Sequence, residues 1–78
     1  MIRVRLADPQ YRQTIATFFR HANLVVTYPE GDAHTLCIDF AAFDFDEMAQ
    51  LRIVTRMLEA WQTERQNTML SGTEIAIA

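Results

Sequence analysis

The apolar residues of this chain change period as they run, and the order of those changes leaves few architectures open. Residues 2–7 alternate, with Ile2, Val4 and Leu6 on one side and Arg3, Arg5 and Ala7 on the other, the period-two pattern of a half-buried strand. Asp8-Pro9 then reads as a helix start, since an aspartate accepts from the free first-turn amides and proline suits the first helical position. Tyr11, Ile15, Phe18, Phe19 and Ala22 follow at helical spacing, and Asn23 suits a left-handed stop. Leu24–Tyr28 is a second β-rich run that ends in the turn cluster Pro29-Glu30-Gly31-Asp32. His34 to Phe40 alternates again, with Leu36, Ile38 and Phe40 facing one way and Thr35, Cys37 and Asp39 the other. The two runs predict a hairpin.

A second helix is expected from about residue 45 to 66. Asp44 and Glu47 stand three apart as in a capping box, and Phe43 and Met48 are placed as a hydrophobic staple. Leu51, Val54, Leu58 and Trp61 form the main stripe of that helix. Ser71-Gly72 breaks the chain, and Thr73 to Ala78 alternates Ile75 and Ile77 with Glu74 and Ala76. The order is β-α-β-β-α-β in one α+β domain spanning 1–78. It resembles the ferredoxin-like split βαβ superfold, with two helices on one face of a four-stranded antiparallel sheet. In that order the first strand lies between the third and fourth. A superfold carries no function by itself.

Charge is sorted along the chain and every cation is an arginine. Residues 1–23 hold Arg3, Arg5, Arg12 and Arg20 against Asp8, while residues 24–50 hold Glu30, Asp32, Asp39, Asp44, Asp46 and Glu47 with no base. Topology accounts for most of this: Arg3 and Arg5 are expected between Asp39 and Glu74 as cross-strand pairs on the open sheet face, and the acids at 44–47 favour a helix N-terminus. A net charge of −3 argues against whole-surface attraction to nucleic acid, and no run approaches the roughly 20 apolar residues of a membrane helix. A single cysteine allows no intrachain disulfide and suits a reducing, cytoplasmic setting. The first residues alternate where a signal peptide has a continuous apolar run.

Catalytic and metal constellations are not legible. Cys37 has no second thiol or base beside it, so the bland reading as a small strand residue is favoured over a reactive thiol. His34 and Cys37 project to opposite faces of a strand, which gives poor metal geometry. The expected open face lacks the aromatics that stack on RNA bases. No cofactor is called for, and the chain is read as not an enzyme.

Three features point to association. Both expected sheet edges, Leu24–Tyr28 and Thr73–Ala78, lack lysine and internal proline, the usual guards against edge pairing. The second helix carries an extra apolar line, Ala49, Ile53, Met57 and Ala60, flanked by Arg52 and Arg56. These six residues are the candidate interface. Arg12 and Arg20 form a basic line on the first helix. The expectation is a small non-catalytic protein–protein interaction module, homodimeric, serving as adaptor or regulator of a protein partner, with no nucleic acid and no membrane involved. The alternatives are a ligand-sensing regulatory domain that binds a small anion at Arg3 and Arg5, and a small dimeric α+β enzyme.

Overall fold

In a computed structural model the described residues are 1–41, 43–65 and 72–78. Strand β1 runs Ile2–Arg5, helix α1 Arg12–His21 after a 3-10 turn at Pro9–Tyr11, strand β2 Val25–Thr27, strand β3 Thr35–Asp39, helix α2 Glu47–Arg65 and strand β4 Glu74–Ile77. All three strand pairings are antiparallel and the sheet order is β2-β3-β1-β4. The expected helix end at residue 66 and the break at Ser71 lie outside the described residues.

Alternation along β1 decides which face becomes the core. Ile2, Val4 and Leu6 are buried and Arg3 and Arg5 exposed. The inward set continues through Val26, Leu36, Ile38 and Phe40 and meets Ile15, Ala16 and Phe19 of α1 and Val54, Leu58 and Trp61 of α2 in one cluster. Burying an aliphatic or aromatic side chain of this kind stabilises by about 1.5–3 kcal/mol. Tyr11 meets Trp61 edge to face at 5.9 Å, which ties the start of α1 to the last turns of α2.

The ends of α1 follow local chemistry closely. Asp8 accepts from the Gln10 amide at 3.0 Å with Pro9 in the first turn. At the other end Asn23 sits at φ 65°, the Asn23 amide donates to Arg20 O at 3.0 Å and the Leu24 amide to Phe19 O at 3.4 Å. These two bonds make a Schellman stop, and buried Leu24 and Phe19 supply the apolar contact that accompanies it.

The start of α2 departs from expectation by two residues. Asp46, not Asp44, is the cap: its Oδ1 accepts from the Ala49 amide at 2.8 Å and its carbonyl takes the Gln50 amide at 2.9 Å. Phe43 is exposed, as is Met48, its expected staple partner. It stacks on Phe45 at 5.9 Å with 16° between planes, and both rings meet Phe40 edge-on. Phe40 belongs to the core, so ring contact with it draws residues 43–45 away from helical geometry. The extra apolar line on α2 also differs, because Ile53 and Met57 are half-buried and pack on the core cluster. Ala49 is half-buried, whereas Ala60, Arg52 and Arg56 are exposed.

Three substitutions check this account by urea denaturation. Asp46→Ala is expected to cost about 1 kcal/mol as loss of a helix cap, while Asp44→Ala leaves the midpoint nearly unchanged. Trp61→Ala is expected to cost about 3–5 kcal/mol, a large share of the stability of a domain this small.

Candidate functional site

The two edges of the sheet differ, and hydrogen-bond phase shows why. The Leu6 amide donates to His34 O at 2.8 Å and the Ala78 amide to Met1 O at 3.0 Å. Antiparallel ladders alternate bonded and non-bonded pairs. With the observed registers, even-numbered β1 residues therefore bond β3 and odd-numbered ones bond β4. It follows that Glu74, Ala76 and Ala78 turn their backbone groups toward β1, and that Ile75 and Ile77 turn theirs outward. On the far side Cys37 and Asp39 bond Thr27 and Val25, so Leu24 and Val26 turn outward.

The β2 edge is closed by α1. The Leu24 amide is held by Phe19 O in the helix stop, and Arg20 Nη2 donates to Val26 O at 2.9 Å. Extending the register by two residues sets Pro29 opposite Thr35, and proline has no N–H to give. Arg12 Nη1 reaches that region instead, 2.8 Å from Asp32 O and 3.5 Å from Thr35 O. The Arg12 guanidinium lies 4.1 Å from the Tyr28 ring centre and that of Arg20 5.6 Å from it. Sequence alone left this edge unguarded and the two arginines as a basic line. In the fold both clamp the hairpin onto α1, and only the distance from helix to strand could have revealed it.

The β4 edge has no such cover among the described residues. Ile75 is half-buried and Ile77 38% exposed although both point to the core side. Beside them a shallow groove of about 320 Å³ follows α2, lined by Met48, Leu51, Arg52, Thr55, Arg56 and Glu59. A smaller depression of about 150 Å³ continues it to Thr73 and Ile75. Met48, Arg52, Thr55 and Glu59 recur at i, i+4, i+7 and i+11, one face of a helix. This stripe escaped the sequence reading because it mixes charges with one methionine and has no apolar period. Met48 is 60% exposed, and exposed Phe43 and Phe45 precede it. Of the expected interface, Arg52 and Arg56 line the groove, whereas Ile53 and Met57 contribute to the core.

The open sheet face carries Arg3 between Cys37 and Ala76, and Arg5 between Thr35 and Glu74. Asp39 instead lies opposite Val25. Among the described residues no arginine closes an ion pair with a carboxylate, so cross-strand pairing of Arg3 and Arg5 with Asp39 and Glu74 is a matter of position and not of contact. No aromatic residue stands among these paired open-face positions. Cys37 is half-buried there, and no group of three or more His, Cys, Asp or Glu is placed to hold a metal among the described residues. No helix is long and apolar enough to cross a membrane among the described residues.

One polar cluster organises the hairpin turn. Asp32 accepts from Thr35 Oγ1 at 2.7 Å and from the His34 amide at 2.9 Å. The His34 ring sets Nδ1 2.9 Å from Leu6 O, so that nitrogen is the donor. These bonds explain why Thr35 is buried on the open-face phase. The His34 ring thus bonds a backbone carbonyl, and the Asp32 carboxylate takes the Thr35 hydroxyl and the His34 amide, not the His34 ring. Comparison with protein-family models, curated protein sequences and solved structures returns no significant match.

The Thr35 hydroxyl and then the His34 amide hold the Asp32 carboxyl below its usual range, with smaller help from the positive charge of Arg5. A depressed carboxylate contributes stability that is fully present above the ordinary value of about 3.9 and is lost as pH falls through the lower folded value. Urea midpoints followed downward from pH 6 are therefore expected to fall below about pH 4. Asp32→Asn is expected to lower the midpoint at pH 6 and to flatten the acid limb; an unchanged acid limb would exclude Asp32 as its source.

Proposed function

We propose that the protein is a small non-catalytic protein–protein interaction module that works as a homodimer, with the β4 edge and the outer stripe of α2 as its interface. The observation that carries this reading is the asymmetry of the edges: α1 closes β2 with Arg20, and nothing among the described residues closes β4. An open edge in a small domain is a template for strand addition. The order β2-β3-β1-β4 with antiparallel pairing throughout supports the finer classification as a ferredoxin-like split βαβ fold.

A second copy suits this edge on charge and shape. Antiparallel pairing about a two-fold axis at Ala76 sets Ile75 against Ile77 of the partner subunit on the core side and Ala76 against its own copy on the open side. Glu74 then meets Ala78 of the partner subunit, so no like charges face each other. Stable interfaces bury roughly 1,200–2,000 Å² in total, more than a four-residue strand supplies, so α2 must join. The same two-fold runs the α2 stripes antiparallel and brings Arg52 toward Glu59 of the partner subunit, twice. Closed two-fold contacts of this isologous kind are the commonest in soluble oligomers. Role as adaptor or regulator of a further protein follows as the use of such a module, whose open sheet face stays free in the dimer.

Light scattering after size exclusion is expected to give twice the 9.0 kDa chain mass. Ile77→Lys places a charge beside an outward amide that no strand of the monomer uses, and is expected to weaken association by tenfold or more, about 1.4 kcal/mol, with the circular dichroism unchanged. Ile53→Asp is expected instead to destabilise the fold, since Ile53 packs on the core. A strictly monomeric wild type at high micromolar concentration would overturn the reading.

A further inference from the structure

The two arginines that close the β2 edge have donors left over, and their surroundings give those donors a use. Arg12 and Arg20 line one depression of about 440 Å³ together with Pro9, Gln10, Gln13 and Tyr28. Each guanidinium is anchored on a backbone carbonyl through one terminal nitrogen. A guanidinium has five N–H donors in a fixed fork, so most of each fork is uncommitted while its position near Tyr28 is set in advance. Among the described residues no carboxylate lines the depression. Of the acids nearby along the chain, Asp8 is engaged with the Gln10 amide and side chain and Asp32 with Thr35 and the His34 amide, while Glu30, next to Pro29, is exposed and is not among the lining residues.

Pre-positioned arginines without an acidic partner, in a concave site, are the arrangement that recognises phosphate, whose oxygens match the guanidinium fork. The Gln13 amide group adds a neutral donor, whereas the Gln10 side chain already donates to Asp8 at 2.8 Å. The volume falls within the range of about 300–1,000 Å³ typical of small-molecule sites, larger than a bare phosphate needs. We infer that this depression between α1 and the β2–β3 hairpin binds a small molecule carrying a phosphate monoester, with Arg12 and Arg20 as its oxyanion donors. The site lies across the sheet from β4, so it stands or falls separately from the dimer.

Arg3 and Arg5 were the anion site expected from sequence, and they make the natural contrast. Both are exposed on the open sheet face, and among the described residues no hydrogen bond orients either side chain. An unoriented arginine loses side-chain entropy on binding that an anchored one has already lost.

The test is a titration of the 15N-labelled full chain with inorganic phosphate, read by two-dimensional NMR against sodium chloride at equal ionic strength. Saturable shifts are expected at Gln10, Gln13, Arg20 and Tyr28 with phosphate and not with chloride. Gln13→Glu sets a carboxylate at the rim without touching either clamp, and is expected to weaken phosphate binding about tenfold or more through like-charge repulsion. Arg3→Gln is expected to bind as the wild type does. Shifts that match chloride, shifts centred on Arg3 and Arg5, or undiminished binding in Gln13→Glu would each overturn the assignment.

Discussion

Strand β1 lies between two strands that come from distant parts of the chain, and its phase decides the rest. Its even residues bond β3 and bury Ile2, Val4 and Leu6; its odd residues bond β4 and expose Arg3 and Arg5. A slip of one residue would turn three apolar side chains to solvent and two arginines into the core, a cost far above the stability of a small domain. Because the phase is so strongly held, it propagates. It orients β3, hence β2, and turns the backbone groups of Val26 outward on one edge and those of Ile75 and Ile77 outward on the other. The difference between the closed and open edges is a consequence of that central strand.

Closure of β2 depends on reach. An arginine at the end of α1 extends to a strand carbonyl and keeps its planar group near Tyr28, a use for which its planar fork suits it better than a lysine ammonium does. Pro29 removes a donor from the ladder and Arg12 fills in from the helix. The same two side chains therefore close an edge, hold the hairpin and leave oriented donors over a concave surface. On the opposite edge α2 offers Arg52 and Glu59 along an open groove of its outer face.

Much of the fold was legible because its signals are local. Alternation marked β1, β3 and β4 and a β-rich run marked β2, Asp8-Pro9 and Asn23 marked the ends of α1, and the apolar stripe Leu51, Val54, Leu58 and Trp61 marked the buried side of α2. The misreadings are equally specific. Asp44 and Asp46 both precede a helical run, and the choice between them rests on Phe43 and Phe45 packing near Phe40, a contact with the end of β3. Ile53 and Met57 looked like a second face because helical periodicity does not say how wide the covering core is.

What the residues determined by themselves is the order of elements, the inward face of each, and the absence of like charges along β4, all of which follow from spacing within a few residues. What tertiary structure alone decided is which edge is guarded. Arg20 and Val26 are six residues apart, and their contact depends on α1 lying against β2 with the Asn23 turn between them. Side-chain type declares a capacity to donate; only the packing of helix on sheet determines which carbonyl receives it and which edge is left without a donor.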